Sequence, residues 1–447
     1  MMVSGYDRRH FPRDKATDMT DQEQLLDRAN RVLPGGALGG HKSAPGLEFV
    51  VKDARGPYLW DADGKRYLDY LLGSGPMLLG HAHPAVVEAV QKQAGHGTTF
   101  MLLNGPIIEL AEEVVRAVPC ADQVRFMSSG SEATFFALRV ARAFRRRDKI
   151  MKFEGGFHGT HDYALMSTTP RSPKAFPAAM ADSAGIPHAI TEEVLIAPYN
   201  DLATTEALIA QHHNDLAAVI VEPYQRVIVP APGFLKGLRA VARRYEVPLV
   251  FDEIVTGFRL AYGGAQKYYD VVPDVAAFGK VLAGGFPLAA VAGRSDIMKH
   301  FDAALEGSPD YVWQAGTLNG NPVAAVAGLA TLGELRKPGA YERIFATGRK
   351  LKDGLAAAAK KHGMPAQVSG EPPVFDIIFT DSPVVDYRAT LTADRRRIAL
   401  FNEECLRRGV VKAASKIYVS LAHSDADVEE TIAIFDAALG AVAARTK

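Results

Sequence analysis

The chain has 447 residues, of which 48% are hydrophobic and 23% are charged. This length and composition are typical of a globular protein with two or three domains, and they exclude disordered and fibrous classes. Lysine plus arginine equals aspartate plus glutamate at 51 each. Because no field of either sign covers the molecule, we expect neither nucleic acid nor an anionic membrane surface as a partner.

The cysteine content and the apolar segments predict a cytoplasmic protein. Cys120 and Cys405 are too few for a disulfide framework, which suits a reducing compartment. Residues 1–24 lack the apolar segment of a signal peptide, and we predict a loosely held arm there. Val323–Leu335 is too short to span a bilayer and predicts a buried helix.

Short apolar runs alternate with segments of helical period along the middle of the chain. The predicted strands are Gln123–Met127, Ile150–Phe153, Ala217–Val221, Pro248–Phe251 and Val275–Phe278. Helical segments such as Glu132–Phe144 and Pro232–Tyr245 separate most of them. This alternation predicts an α/β fold, with a mostly parallel sheet and helices on both of its faces.

The segments on either side of this core predict a smaller second unit. Gly56–Asp69 predicts two short antiparallel strands joined by a turn at Asp63–Gly64. Beyond Arg336, helices alternate with short strands at Val374–Phe379 and Lys416–Leu421. We therefore predict a flexible arm (1–24), an N-terminal segment of a small domain (25–75), a large domain (76–335) and a C-terminal small domain (336–447).

Polar residues follow the predicted strands where each strand ends. Parallel sheets bind ligands beyond the carboxyl ends of their strands, so these residues are the first candidates for a site. They are Ser128–Ser131, Glu154–His158, Glu222–Pro223, Asp252–Glu253 and Gly279–Lys280. An anion-binding turn, an aromatic ring, carboxylates and a lysine are therefore predicted to meet at one edge of the sheet.

Three of these features predict a specific cofactor when they are taken together. Ser128–Ala133 begins a helix whose free amides suit a phosphate, although a serine cap is the alternative. Asp252 follows an apolar strand and suits a cationic partner such as a protonated pyridine nitrogen; the alternatives are a cap on the next helix and an ion pair with an arginine such as Arg259. Lys280 in an enclosed site would be a nucleophile, whereas most lysines are solvated. Phosphate site, acid and lysine are the anchors that pyridoxal 5'-phosphate (PLP) requires.

The chain resembles the class III (ω-type) aminotransferases of PLP fold type I, and within them the glutamate-1-semialdehyde aminomutase-like group. The resemblance runs from Pro34 to about Val428. It is carried by Pro34–Gly36, Trp60–Gly64, Leu79–Pro84, Ser128–Ala133, Gly156–Gly159, Glu222–Pro223, Asp252–Arg259, Phe278–Lys280, Gly284–Gly285 and Gly316–Pro322. It implies a seven-stranded-type, mostly parallel sheet in the large domain and a smaller α+β domain formed by the chain termini.

The resemblance also implies roles for individual residues. Lys280 would form the Schiff base with PLP and move a proton between substrate and cofactor carbons, and Asp252 would keep the pyridine nitrogen protonated. Phe157 and Ile254 would pack on the two faces of the ring, unless they are simply core residues. The other implied contacts are Ser129, Gly130 and Ser131 with the phosphate, His158 at the ring edge, and Glu222 and Gln225 near the phenolic oxygen.

Thr317 would reach the phosphate from the partner subunit of a homodimer with its active site at the interface. The alternative for Thr317 is a cap on the helix that begins near Asn321. His81, His83 and His158 lack the spacing of a metal site, and we predict no metal.

The chain departs from the aminomutases at three places. Where they carry a carboxylate-binding arginine after Pro-Gly-Gly, this chain has His41–Lys42, and lysine lacks the planar two-point contact of arginine. Where they carry an asparagine after Glu-Pro and a longer acidic loop near the end, this chain has Tyr224–Val227 and Lys412–Lys416. These differences weaken the aminomutase interpretation.

Arg226 replaces a small residue that relatives commonly have beside the cofactor. Our hypothesis is that Arg226, with Lys42, binds the carboxylate of an acidic substrate; a surface arginine or an intersubunit ion pair is the alternative. Ser74–Leu79 and Met101–Asn104 are expected to line the rest of the substrate pocket.

The sequence therefore predicts an aminotransferase with small-molecule substrates. An amino acid or amine donor would convert PLP to its pyridoxamine form, and a keto acid or aldehyde acceptor would then take the amine in a ping-pong cycle. The alternatives are an intramolecular 2,1-aminomutase, a racemase or epimerase on the same scaffold, and a PLP-binding protein without turnover.

Overall fold

The computed structural model describes residues 19–39 and 46–446. The strands are β1 (Val51–Arg55), β2 (Tyr58–Asp61), β3 (Arg66–Tyr70), β4 (Gln123–Met127), β5 (Lys149–Phe153), β6 (Val194–Ala197), β7 (Leu216–Val221), β8 (Leu249–Asp252), β9 (Val275–Phe278), β10 (Ala289–Gly293), β11 (Gln367–Glu371), β12 (Val374–Ile378), β13 (Val410–Lys412) and β14 (Ile417–Tyr418). The five strands predicted for the core all form, and each bound agrees within about one residue.

The helices separate these strands as the alternating pattern predicts. They are α1 (Asp21–Val32), α2 (Pro84–Ala94), α3 (Gly105–Ala117), α4 (Gly130–Arg145), α5 (Leu202–His212), α6 (Phe234–Arg244), α7 (Gly264–Tyr269), α8 (Ser295–Met298), α9 (Pro322–Leu335), α10 (Ala340–Lys361), α11 (Tyr387–Thr390), α12 (Arg395–Arg407) and α13 (Asp425–Arg445). Within residues 19–39 and 46–446, no helix is long and apolar enough to cross a membrane.

A seven-stranded sheet lies at the centre of the molecule, with the strand order β4-β10-β9-β8-β7-β5-β6. β10 is antiparallel to β4 and β9, and all other neighbours are parallel. Alternate residues of β7 pack into separate cores: Val219 and Val221 on one face, Ala218 and Ile220 on the other. Because helices cover both faces, the strand sequence is apolar throughout. The predicted mostly parallel α/β sheet is confirmed.

Both ends of the chain build a second region with its own core. β13 pairs in parallel with β3, so a C-terminal strand completes the N-terminal sheet β1-β2-β3-β13. Leu68 and Tyr70 of β3 pack in one cluster with Leu351 of α10, Phe401 of α12 and Phe435 of α13. A three-stranded antiparallel sheet, β11-β12-β14, lies in the same region. The boundaries at 76 and 335 stay predictions, and α1 begins within the predicted 1–24 arm.

β14 is shorter than the strand predicted at Lys416–Leu421. Its ladder contains only Ile417 and Tyr418, which pair with β12. After Tyr418 the backbone bonds go to loops, since Val419 donates to the carbonyl of Pro373 at 3.1 Å and Leu421 to that of Leu78 at 2.8 Å. The apolar alternation of this segment therefore reflects burial beneath loops and not a longer strand.

Close packing of α10 against the β11–β12 turn gives a stability prediction. A methyl group at Gly348 would overlap the carbonyl of Pro372, whereas one at Gly333 of α9 meets nothing within 4 Å. We expect Gly348→Ala to lower the free energy of unfolding by about 1–3 kcal/mol through overpacking. Gly333→Ala, the matched control, should raise it by about 0.5–1 kcal/mol through helix propensity. Urea denaturation of both variants measures this, and equal effects would contradict the packing account.

Candidate active site

A cavity of 370 Å³ lies beyond the carboxyl ends of the central strands. β4 and β9 are each antiparallel to β10, so β4, β9 and the other parallel strands all end at the same edge of the sheet. The predicted site residues that line the cavity are Ser129, Gly130, Ser131, Phe157, His158, Glu222, Arg226, Asp252, Ile254 and Lys280. The convergence predicted from the strand ends is therefore present in the fold.

Lys280 lies two residues after the end of β9, at a turn where its backbone is in the left-handed region with φ of 48°. Non-glycine residues adopt this conformation at a cost, and such strain is concentrated at functional sites. Its ammonium has no hydrogen-bond or ion-pair partner in the described chain, and burial lowers its pKa because desolvation disfavours the charged form. Lys280 is therefore an amine that can become a neutral nucleophile in the cavity.

Asp252, at the end of β8, is held by His158 and by its own loop. One carboxylate oxygen lies 2.8 Å from Nδ1 of His158, and the other accepts the amide of Ile254 at 3.1 Å. Arg259 is committed elsewhere, since its Nε donates to the carbonyl of Val255 at 2.9 Å. The alternative partner considered for Asp252 is thus excluded, and the carboxylate remains at the cavity wall for a cationic group of a ligand.

The N-terminus of α4 combines a helix cap with free backbone donors. Ser129 Oγ accepts the amide of Glu132 at 3.3 Å, and the Glu132 side chain accepts the amide of Ser129 at 2.8 Å. In the described chain the amides of Gly130 and Ser131 donate no hydrogen bond, and both residues line the cavity. The serine cap is confirmed, and the two amides that it leaves free suit an anion.

The loop that carries Phe157 and His158 is docked on the start of α4. Ser131 Oγ accepts the amide of Thr160 at 3.1 Å. Gly159 has φ of 94°, and a Cβ there would lie 2.6 Å from Ser131 Oγ, so only glycine permits the approach. Lys152, fully buried, donates to the carbonyls of Gly156, Ala164 and Met166 at 3.0, 2.8 and 2.6 Å. Sequence reasoning missed this lysine, which has no motif of its own.

Glu222 links the aromatic loop to Arg226. Its carboxylate accepts the amides of Phe157 at 2.6 Å and of Arg226 at 3.0 Å. Although burial acts in the opposite direction, Arg226, Lys416 and His158 hold the pKa of Glu222 below its usual value. Glu222 is therefore a charged carboxylate in the cavity wall, and its backbone contacts orient the segment that carries Phe157.

The Arg226 side chain is fixed at Nε, whereas its terminal nitrogens are available to a ligand. Its Nε donates to the carbonyl of Gly155 at 3.0 Å, and the guanidinium lies over the ring of Phe157 at 5.2 Å. The two terminal nitrogens donate no hydrogen bond within the described chain, and the side chain is 30% exposed. Arg226 thus retains two terminal nitrogens, with four N–H donors, that have no acceptor in the described chain.

The remaining predicted residues lie elsewhere. Gln225 is fully buried behind the cavity, where its amide donates to the carbonyl of Glu154 at 2.8 Å. Thr317 lies in an exposed turn outside this cavity, and Asn321 caps α9 instead, accepting the amide of Ala324 at 2.8 Å. Lys42 lies outside the described residues.

Of the segments expected to line the substrate pocket, only Ser74 reaches this cavity. Residues 101–104 do not line it, and Leu102 and Leu103 are largely exposed. The cavity instead contains Lys416 and Tyr418, from the short connection before β14 and from β14 itself. The sequence shows Lys412–Lys416 only as a departure from the aminomutases, and the connection carries no motif that would place Lys416 and Tyr418 at the cavity.

Comparisons with known proteins agree with this geometry. The aminotransferase class-III family matches residues 40–439. The chain is 40% identical over 418 residues to glutamate-1-semialdehyde 2,1-aminomutase 2 of Brevibacillus brevis, covering 92% of this chain and 96% of that protein. An ω-transaminase from Sphaerobacter thermophilus superposes with a TM-score of 0.90 at 35% identity, covering 95% and 98% of the two chains. A β-phenylalanine aminotransferase from Variovorax paradoxus superposes with a TM-score of 0.84 at 28% identity, covering 94% of each.

Fold and cavity define a PLP-dependent enzyme scaffold of fold type I. The free amides of Gly130 and Ser131, the carboxylate of Asp252 and the unpartnered amine of Lys280 fit the phosphate, the ring nitrogen and the aldehyde of PLP. The chain belongs to the class III aminotransferase family, and its cofactor is PLP. When bound, PLP supplies an electron sink for negative charge on a substrate carbon.

The position of Asp252 predicts a strong effect of removing its charge. We expect Asp252→Asn to lower the rate at which an amino donor converts the bound cofactor by about 100-fold or more, because the ring nitrogen loses its anionic partner. Stopped-flow absorbance of the PLP-loaded protein measures this rate.

Glu253→Gln is the matched control for that variant. Glu253 is buried beside Asp252 but outside the cavity, where it accepts the Thr256 hydroxyl at 2.9 Å, and burial raises its pKa to about 7. A rate loss below about threefold in Asp252→Asn, or an equal loss in both variants, would contradict the assignment of Asp252.

Proposed function

We propose that the chain is an aminotransferase that moves an amino group from an amino acid or amine to a keto acid or aldehyde. The observation that supports it is the unpartnered, desolvated amine of Lys280 in one cavity with Asp252 and the free amides of α4. Lys280 would hold PLP and, once released, move the proton at the substrate carbon. Asp252, oriented by His158, would keep the ring nitrogen protonated.

The other cavity residues would fix the position of the cofactor. Gly130 and Ser131 would donate their amides to the phosphate, with Ser129 shaping the turn through its cap. Phe157 and Ile254 would enclose the ring, and Glu222 would face the phenolic oxygen. Gln225, which is buried behind the cavity, would act on the cofactor only through the loop that it supports at Glu154.

An intramolecular aminomutase is the second candidate, and the 40% identity to proteins of that name favours it. The connection between β13 and β14 favours the transferase instead. It spans only 413–416, closed by a hydrogen bond of 3.1 Å from the Ala413 amide to the Lys416 carbonyl. Where the aminomutases resembled by this chain have a longer acidic loop, the cavity wall here therefore carries a cation.

The two half-reactions distinguish these candidates. PLP-loaded protein mixed with a single amino donor should lose its cofactor absorption above 400 nm, about 420 nm being the expected maximum, and gain the absorption of the pyridoxamine form. Addition of a keto acid alone should then restore the first spectrum. A protein that converts glutamate-1-semialdehyde to its amino-shifted isomer at full rate, and that no keto acid reoxidises, would instead be the aminomutase.

Arg226 is proposed to bind a substrate carboxylate through its two free terminal nitrogens. We expect Arg226→Ala to raise KM for carboxylate-bearing substrates by about tenfold, the effect of losing one charge-assisted hydrogen bond. Steady-state kinetics with a carboxylate donor measures the change, and Arg226→Lys, which keeps the charge, should recover part of it. An unchanged KM in Arg226→Ala would refute this role; Lys42 is proposed to assist it.

A homodimer is proposed because apolar surface surrounds Thr317. Leu102 and Leu103 are 78% and 85% exposed, and Leu318 is 48% exposed. Asn104 ties the two segments together, since its amide donates to the carbonyl of Gly320 at 3.0 Å. An exposed apolar patch of this kind is typical of a subunit interface, across which Thr317 would reach the partner's cofactor phosphate.

A cytoplasmic location is proposed from the cysteines. Cys120 and Cys405 are both buried and unpaired, and they lie in different cores of the molecule. Burial raises the pKa of the Cys120 thiol, and the same desolvation raises the pKa of the Cys405 thiol to about 12. Thiols kept in this state suit a reducing compartment.

A further inference from the structure

Apart from Lys280, the buried lysines of the described chain differ in whether their ammonium has a hydrogen-bond or ion-pair partner. The lysines of the described chain that are at least nine-tenths buried are Lys152, Lys412 and Lys416. Lys152 donates to three backbone carbonyls, and Lys412 lies 3.0 Å from the carboxylate of Asp376. The ammonium of Lys416 has neither a hydrogen bond nor an ion pair in the residues that the structure describes. Against the effect of burial, Arg226 and Lys416 help to hold the pKa of Glu222 below its usual value, but no acceptor in the described residues takes a hydrogen bond from the Lys416 ammonium.

Lys416 belongs to the wall of the cavity that contains Lys280. Lys416 ends the tight 413–416 connection, which is closed by its own carbonyl, and both Lys416 and Ser415 line the cavity. The positive charge of Lys416 acts on the Tyr418 phenol, which also lines the cavity. Against the effect of burial, Lys416, Lys280 and Arg259 hold the pKa of this phenol below its ordinary value. The two lysines without partners, Lys280 and Lys416, therefore face the same space.

The carboxylates of the cavity are already committed to other partners. Asp252 is bonded to His158, and Glu222 accepts the amides of Phe157 and Arg226. With Lys280, Lys416 and Arg226 against Asp252 and Glu222, the lining side chains carry more positive than negative charge. The free amides that suit the PLP phosphate lie at a different wall, on α4. The Lys416 ammonium is therefore available to a second anionic group in the cavity.

We propose that Lys416 is a substrate-binding residue whose ammonium pairs with the carboxylate of the amino donor or of its keto acid. This inference rests on the proposed aminotransferase function and deepens it, because it selects acids over simple amines. Arg226, held by Gly155 and Glu222, forms the neighbouring part of the same cationic wall. A carboxylate between the two would receive donors from both side chains.

Binding of an unreactive ligand pair tests Lys416 without turnover. The PLP-loaded protein is titrated calorimetrically with 3-phenylpropanoate and with the neutral isostere 3-phenylpropanamide. Wild-type protein should prefer the carboxylate, and Lys416→Met should reduce that preference by about tenfold. Lys416→Arg, which keeps the charge, should retain most of it. A preference unchanged in Lys416→Met, or absent in the wild type, would overturn the proposal.

Two controls separate this result from other effects. Lys236→Met removes a lysine whose ammonium bonds Asp270 on the surface, at 2.8 Å, and should leave the preference unchanged. Lys416→Gln serves if the methionine variant does not fold, with the cofactor spectrum and the thermal midpoint as checks. For Lys416→Gln the prediction is the same as for Lys416→Met: loss of the carboxylate preference supports the proposal, and retention overturns it.

The aminotransferase proposal is tested separately, by the reaction of the PLP-loaded protein with two amino donors. In the half-reaction, 3-amino-3-phenylpropanoate and 1-phenylethylamine differ by one carboxylate, and Lys416→Met should raise KM for the first about tenfold more than for the second. If neither donor nor any keto acid changes the cofactor spectrum while 3-phenylpropanoate binding still depends on Lys416, the aminotransferase proposal fails and the Lys416 site stands.

Discussion

The cost of holding the Lys280 amine away from water is the constraint on which the whole site depends. Lys280 lies in a cavity where desolvation lowers its pKa, and in the described chain it has no acceptor to restore its charge. An isolated buried ammonium is unfavourable, so such a side chain persists only where the fold forces it and a ligand uses it. The fold holds Lys280 in this position through its left-handed turn, which lies between β9 and Gly284–Gly285.

The two regions of the molecule meet the constraint in different ways. The central sheet places Asp252, Glu222 and Lys280 at one edge because strands that run in the same direction end together. The region built from both termini brings the β13–β14 connection across that edge. Lys412 anchors the connection, since its ammonium bonds Asp376 at 3.0 Å and Asn402 at 2.8 Å in a buried cluster. Lys416, a few residues later, is therefore held over the cavity.

Much of this arrangement is readable in the sequence, and the reasons differ by element. Continuous apolar runs such as β7 and β9 predict buried parallel strands, and from them the meeting of Lys280 and Asp252 follows. Packing between segments that are distant in the chain cannot be predicted from such apolar runs. The cap of α9 is Asn321 and not Thr317, and β14 ends at Tyr418, because loop carbonyls take the next amides. The sequence marks Lys412–Lys416 as a departure from the aminomutases, but it does not show that Lys416 lines the cavity, since that position comes from tertiary packing.

Two unpartnered amines in one cavity make the identity of the PLP-bearing lysine the most direct test. The PLP-loaded protein is reduced with borohydride, digested, and its peptides are mapped by mass spectrometry. The account predicts the cofactor adduct on Lys280 alone, with Lys416 unmodified. An adduct on Lys416, or no covalent adduct at all, would contradict it.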